Sequence, residues 1–204
     1  MGMRSDTITT INQLLIEQRG VPTVITISGP TGAGKSYLAQ DIRDNFTHSV
    51  VIHTDDYYRS DETMPPEVYV GNEINYDHPR AIQLGRLAGD LTSLTAGLPV
   101  IKPTYHMKKS QPGAAEIVAP RKLIIVEGLV ANHPTIRALS NYAILVTAPK
   151  DIRLARRIER DLKQYGRPAK QTKAIFNVFT EPSYLAYHVA NDAAANLVVD
   201  SSEE

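Results

Sequence analysis

The sequence predicts an α/β fold, a parallel β-sheet with helices on both faces. Three observations carry that prediction. Short runs of β-branched and aliphatic residues alternate with segments of helical periodicity, the pattern of strands buried on both faces. The first such run ends in a glycine-rich stretch, SGPTGAGKSY at 28–37, that opens directly into a helical segment. At 204 residues the chain suffices for one sizeable core and is short for two, and it holds no repeat, low-complexity tract or long linker.

The elements follow in order. Residues 7–19 place Ile8, Ile11, Leu14 and Leu15 on one helical face, and Gly20 and Pro22 stop that helix. TVITIS at 23–28 is a buried strand, and KSYLAQDIRDN at 35–45 a helix. VVIHT at 50–54 is a second strand, leading into the polar, aromatic DDYYRSDE. Residues 80–97 set Ile82, Leu84, Leu87, Leu91 and Leu94 near one helical face, ended by Gly97 and Pro99. The stretch 101–120 reads as a hairpin or loop excursion. LIIVEG at 123–128 and YAILVT at 142–147 are further strands. A charged helix is expected at about 150–165, helical stretches at 169–179 and 181–194, and a last strand at 196–200.

Composition removes several classes of function. The chain has 22 basic and 22 acidic residues, so no global charge points to nucleic acid or an anionic membrane. It has no cysteine, hence no disulfide, thiol nucleophile or thiolate metal site. No run is long enough to span a membrane, and the opening MGMRSDTITT lacks the apolar segment of a signal peptide. A cytoplasmic enzyme, open to homo-oligomerisation, is the expectation.

Gly29, Gly34, Lys35 and Ser36 fit the spacing G-x-x-x-x-G-K-[ST] between a strand and a helix. Phosphate oxygens need several backbone N–H donors converging on one point, so the chain must wrap tightly. The helix starting at Lys35 turns its positive end toward the anion. Lys35 reaches the outer phosphates and Ser36 offers an oxygen to magnesium. The stretch Gly29, Pro30, Thr31, Gly32, Ala33, Gly34, Lys35, Ser36 and Tyr37 is therefore the expected nucleotide cradle, and the fold is expected to be the P-loop NTPase fold.

The acidic residues bear on where the phosphate goes. No Asn-Lys-x-Asp segment reads guanine as in a GTPase. Glu127, at the end of LIIVEG, suits magnesium through water, as in motor ATPases. A kinase needs in addition a carboxylate to orient the incoming hydroxyl and accept its proton. Asp55 and Asp56 lie just after the second strand, at the carboxyl end where ligands bind in such sheets. Taken alone, they would equally suit a capped turn.

HTDDYYR, INYDHPRAI, KPTY, VEG and RLARRIERDLKQYGRP stand in this order behind the phosphate loop. Together they resemble the motifs of the uridine kinase / phosphoribulokinase-type P-loop kinases, closest to uridine–cytidine kinases, over residues 23 to 182. The resemblance implies that Asp55 is the general base and sits near magnesium with Ser36 and Glu127. It puts Tyr58 and Tyr105 near the acceptor, Tyr76 beside the acceptor's base, and Asp77 on its sugar hydroxyls. Asp56 falls on a variable position and reads as a solvated turn residue. His78 reads as a helix-start residue.

The helix at about 150–165 carries Arg153, Arg156, Arg157 and Arg160. A solvated face is the usual reading of such a run, yet Arg153, Arg157 and Arg160 are spaced to lie on one side. Phosphoryl transfer needs positive charge over the moving group, and the resemblance implies a helical lid at about 150–170. Arg157, Arg160 and Arg167 match family arginines, the first two as catalytic groups and Arg157 and Arg167 toward substrate.

Three positions depart from the family. Ser110 replaces a base-reading histidine, Tyr165 an arginine, and Ile175 a base-reading glutamine. The expectation is one domain over 1–204, with a helix extension at 7–19, that uses ATP and Mg2+ to phosphorylate a primary hydroxyl. The first acceptor is a nucleoside such as uridine or cytidine. Nicotinamide riboside, pantothenate or a sugar phosphate comes next, and an NTP hydrolase or nucleotide-sensing module is the rival class.

Overall fold

The structure, a computed structural model, describes residues 2–18 and 20–202. Its centre is a five-stranded, wholly parallel sheet of β1 (Thr23–Ser28), β2 (Ser49–His53), β9 (Leu123–Glu127), β10 (Tyr142–Thr147) and β11 (Leu197–Asp200). The spatial order is β11-β10-β1-β9-β2. β1 is central and all six of its residues are buried, which is why it reads as a continuous β-branched run rather than an alternating one.

Side-chain alternation splits the core into two layers. Val24, Ile52, Ile124 and Val126 face one side, where Leu87, Leu91 and Leu94 of α3 (Leu84–Thr95) and Ile136 of α4 (Pro134–Arg137) cover them. Ile25, Ile27, Leu123, Ile125, Ile144 and Val146 face the other. There they meet Leu38, Ala39 and Ile42 of α2 (Lys35–Asn45) and Ile11 of α1 (Gly2–Glu17). Of the face expected for the first helix, Ile11 is buried and Ile8 and Leu15 pack against the same cluster. The helix ends at Glu17, and position 19 of the expected span lies outside the described residues.

The strand expected at 50–54 runs Ser49–His53 instead. Its ladder to β9 ends at His53 opposite Glu127, and Thr54 opens a 3₁₀ turn, Thr54–Tyr57, that carries both aspartates. The excursion at 101–120 is two antiparallel ladders, β5 (Val100–Lys102) with β8 (Glu116–Val118) and β6 (Tyr105–His106) with β7 (Gln111–Pro112). A short hairpin, β3 (Tyr69–Val70) with β4 (Glu73–Ile74), was not expected. Its signal was present: Gly71-Asn72 is a two-residue hairpin turn, and Gly71 has φ +63°.

α5 (Lys150–Tyr165) leads through Gly166 to α6 (Ala169–Ile175). The two helical stretches expected at 169–179 and 181–194 are one continuous run. It passes through π turns at Phe176–Thr180 and Tyr184–His188 and ends in Val189–Asp192. Pro182, which lacks an N–H and crowds the preceding turn, falls between the two wide turns. Arg153 anchors this run. Its guanidinium is buried and makes two bonds to Glu181, at 2.8 and 2.9 Å, with Nε donating to the carbonyl of Ala148 at 3.0 Å. It also lies over the Phe176 ring. Arg153 thus turns into the core, away from the side expected from its spacing with Arg157 and Arg160.

Glu181→Gln leaves that buried guanidinium without its counter-charge. Thermal or urea unfolding should show a loss of about 3 kcal/mol, and a loss below about 1 kcal/mol would deny the pair this anchoring role.

Candidate active site

The loop after β1 wraps at the carboxyl end of the sheet, and α2 starts at Lys35. Its packing is tight enough to dictate glycine at two places. A β-carbon on Gly29 would stand 2.0 Å from the carbonyl oxygen of Val146, and one on Gly32 would stand 2.4 Å from that of Arg153. Gly32 also has φ +75°. On its outer side the loop is held by Ser201, whose hydroxyl donates to the carbonyl of Ala33 at 2.7 Å. Arg156 in turn bonds the Ser201 hydroxyl and carbonyl at 2.9 and 2.7 Å.

Two adjoining hollows of about 530 and 730 Å³ open above this loop. Thr31, Gly32, Gly34, Lys35, Ser36 and Tyr37 line the first, together with Glu127 and Arg156. Tyr76, Ser110, Tyr165, Arg167 and Ile175 line the second. Asp55, Tyr58, Asp77, Tyr105, Arg157 and Arg160 line both. Residues far apart in the chain therefore meet at the junction of the half over the phosphate loop and a second, tyrosine-lined half. Gly29, Pro30 and Ala33 shape the loop from behind, and Ala33 is fully buried. Ser110, Tyr165 and Ile175, the three departures from the resembled pattern, all fall on the second half.

In the phosphate half, Ser36 Oγ donates to Glu127 Oε1 at 3.1 Å, and His53 Nδ1 stands 2.8 Å from Glu127 Oε2. His53 was not expected here. Its partner is 74 residues away, and sequence spacing carries no trace of it. Lys35 Nζ donates to the carbonyl of Pro30 at 3.1 Å. Burial lowers the Lys35 pKa, against the pull of Glu127 and Asp55. Burial pushes the Glu127 carboxyl up, but the bond from His53 and the charge of Lys35 outweigh it and hold the group below its ordinary value. Glu127, in return, raises His53. Among the described residues no three His, Cys, Asp or Glu side chains cluster as a metal cage. The Ser36 hydroxyl and the carboxylates of Glu127 and Asp55 are all hard oxygens. Such a set fits magnesium, which keeps waters and takes ligands from substrate phosphates.

Asp55 is open to the water of the cleft yet ringed by protein. Burial, and then the negative charge of Glu127, raise its pKa to about 6, with Lys35 opposing. Asp56 is not the solvated turn residue expected. It forms an ion pair with Lys102, whose Nζ is buried.

The second half is walled by three tyrosines. The Tyr58 ring meets Tyr76 edge-on at 5.7 Å and Tyr105 at 5.2 Å. Tyr76 donates to Asp61 at 2.7 Å. The turn bearing Asp77 is fixed from the π-turned helix: His188 Nε2 donates to the Asp77 carbonyl at 2.8 Å, and Asn75 and Ser183 bond each other. His78 accepts from the N–H of Arg80 at 3.1 Å and caps a 3₁₀ turn.

Arg157, Arg160 and Arg167 converge on one buried carboxylate, Asp161. Arg160 gives two bonds, at 3.1 and 2.8 Å, Arg167 one at 3.0 Å, and Arg157 pairs at 3.5 Å. Arg157 also donates to Thr180 at 2.7 Å. The carboxylate keeps three guanidinium groups together at the cleft despite their mutual repulsion.

A sheet with a phosphate loop, an acidic strand end, a carboxylate beside the loop and gathered arginines defines the class of P-loop phosphotransferases. Known relatives agree. The model of the Phosphoribulokinase / Uridine kinase family matches residues 24–204, and the chain belongs to that family. A uridine kinase of Alkaliphilus metalliredigens is 30% identical over 182 residues, 87% of this chain and 86% of that protein. One of Clostridium perfringens is 34% identical over 174 residues, 79% and 83%. Solved structures share the fold. A candidate fructose transport system kinase from Silicibacter sp. TM1040 has TM-score 0.74 at 19% identity over 94% of this chain and 98% of that one. A possible uridine kinase from Bacillus stearothermophilus has TM-score 0.61 at 16% identity over 96% and 98%. Family membership makes the chain an ATP-dependent phosphotransferase. No helix among the described residues is long and apolar enough to cross a membrane.

Two outcomes follow from the geometry. Gly32→Ala must displace the Arg153 backbone, so ATP affinity measured by calorimetry should fall at least tenfold, and unchanged affinity would contradict the packing. Asp55→Asn should stabilise the ligand-free protein. A carboxyl whose folded pKa is raised costs stability at every pH above that value, and the cost fades as pH falls toward 4. Water in the cleft screens the charge, leaving a gain on the order of 1 kcal/mol at pH 7.5, seen as a higher melting temperature that converges with wild type near pH 4.

Proposed function

We propose that this enzyme transfers the γ-phosphoryl group of ATP to a primary hydroxyl of a nucleoside such as uridine or cytidine. One observation carries the reading. Asp55 lines both halves of the cleft, between the loop that suits a polyphosphate and the tyrosine-walled hollow that suits an acceptor. The kinship with uridine kinases supports the nucleoside. Both substrates are cytoplasmic metabolites, and we assign the enzyme there.

The loop amides and Lys35 bind the phosphates, while Ser36, Glu127 and Asp55 would hold magnesium. Magnesium, when bound, neutralises charge on the phosphate oxygens. Asp77 accepts hydrogen bonds from the sugar hydroxyls, Tyr76 flanks the base, and Tyr58 and Tyr105 wall the acceptor. Asp55 orients the primary hydroxyl and takes its proton. Arg157 and Arg160 balance charge on the transferring group, and Arg167 closes the acceptor side. Residues 150–170 act as the lid over both hollows, excluding water.

A second reading concerns the acceptor. Ser110, Tyr165 and Ile175 change the family's base-reading groups on the acceptor wall, and a site without those partners loses discrimination. This favours a related or broader acceptor, such as nicotinamide riboside, pantothenate or a sugar phosphate.

Incubation with Mg-ATP and a panel of these compounds, read by mass, should give a phosphoester with a nucleoside. ATP turnover that needs no acceptor and persists in Asp77→Ala would instead indicate a hydrolase. Asp55→Asn should retain ATP affinity within a few-fold and lose product formation about a hundredfold or more. In the wild type, acceptor kcat/KM should fall on the acid side as Asp55 gains its proton, at a pH below the value of about 6 that holds without magnesium. An acid limb that persists unchanged in the residual activity of Asp55→Asn would remove Asp55 from the role of base.

A further inference from the structure

Lys102 is a buried cation that phosphoryl transfer, as laid out above, does not use. It ends β5 with 2% of its surface exposed. Its Nζ donates to Asp56 Oδ2 and to the carbonyl of Pro103 at 3.1 Å, and lies 2.9 Å from Glu116 Oε1. Glu116 is its register partner in the same ladder, so that contact stays within one hairpin. Asp56 comes from 46 residues earlier and follows Asp55 in the turn Thr54–Tyr57.

The Lys102–Asp56 pair therefore joins two walls of one cleft. One wall is the turn of Asp55. The other is the hairpin whose tip carries Tyr105, Met107 and Ser110 into the acceptor half. The ring contact between Tyr58 and Tyr105 runs beside it. An apolar pair could close such a joint at lower desolvation cost. A buried ion pair instead fixes a single register between the parts it links.

We infer that Lys102, acting through Asp56, is a positioning residue that sets the acceptor-bearing hairpin against the turn of Asp55, so that hydroxyl and carboxylate meet within hydrogen-bond reach. The inference rests on the kinase reading above. Its kinetic weight follows from geometry: a displacement of about 1 Å in a bound reactant costs on the order of a hundredfold in rate.

The test compares Lys102→Met, Asp56→Asn and the double variant, with Glu116→Gln as control, using whichever panel acceptor the wild type phosphorylates. Lys102→Met should lower acceptor kcat/KM at least tenfold while the dissociation constant of ATP stays within twofold. Asp56→Asn should move in the same direction. The double variant should be no worse than Lys102→Met, because both changes break the same link. Glu116, more than half exposed, should tolerate Gln within twofold. Amide hydrogen exchange gives a readout that needs no acceptor: residues 54–58 and 100–118 should exchange faster together, with 29–37 unchanged.

Acceptor kcat/KM within twofold of wild type in Lys102→Met overturns the inference. So do penalties that multiply in the double variant, or faster exchange confined to the hairpin. Loss of turnover in Asp56→Asn alone would mean that Asp56 meets the ligand directly, and also overturns it. If Lys102→Met does not fold, Asp56→Asn leaves Lys102 its Glu116 and Pro103 partners and carries the same kinetic and exchange readouts. A wild type that phosphorylates no acceptor would fell the kinase reading, while exchange still decides whether the two walls are linked.

Discussion

Backbone carbonyls of Val146 and Arg153 occupy the space that β-carbons on Gly29 and Gly32 would need. That contact fixes the phosphate loop against the end of β10 and the first turn of α5 at once. A polyphosphate requires several N–H groups aimed at one point, and a loop clamped on both sides can hold that aim without the ligand. Because α5 is one of the clamps, the helix that bears Arg157 and Arg160 has its first turn packed on the loop. The phosphate site and the cationic wall share a foundation.

Charge is then arranged over that foundation at a cost. Asp55, Glu127 and Lys35 are held close together at the end of the sheet, and the surroundings raise one carboxyl, lower the other and lower the ammonium. Three arginines are pulled onto Asp161. A protein selected for stability alone would not gather like charges in this way, and such conflict is the usual mark of a working site.

What the sequence made legible was local. The phosphate loop could be read because its function demands glycine, lysine and serine at fixed spacing between a strand and a helix. The core strands could be read because burial on both faces leaves continuous aliphatic runs. The pairs that shape the site were invisible for the opposite reason. Lys102 with Asp56, His53 with Glu127 and His188 with Asp77 are 46, 74 and 111 residues apart, and nothing in spacing joins them. Arg153 misled because helical spacing gives a side chain's angle on its own helix, not what packs over it. Here Glu181 and Phe176 cover that angle. The π turns escaped because periodicity assumes a uniform pitch.

The hydroxyl of Ser201, just past the last strand, touches the back of the phosphate loop at Ala33 and is gripped by Arg156. These bonds brace the loop from behind, on the side away from the cleft. Shortening the chain before Ser201 would therefore remove a brace of the loop while leaving every reacting group in place.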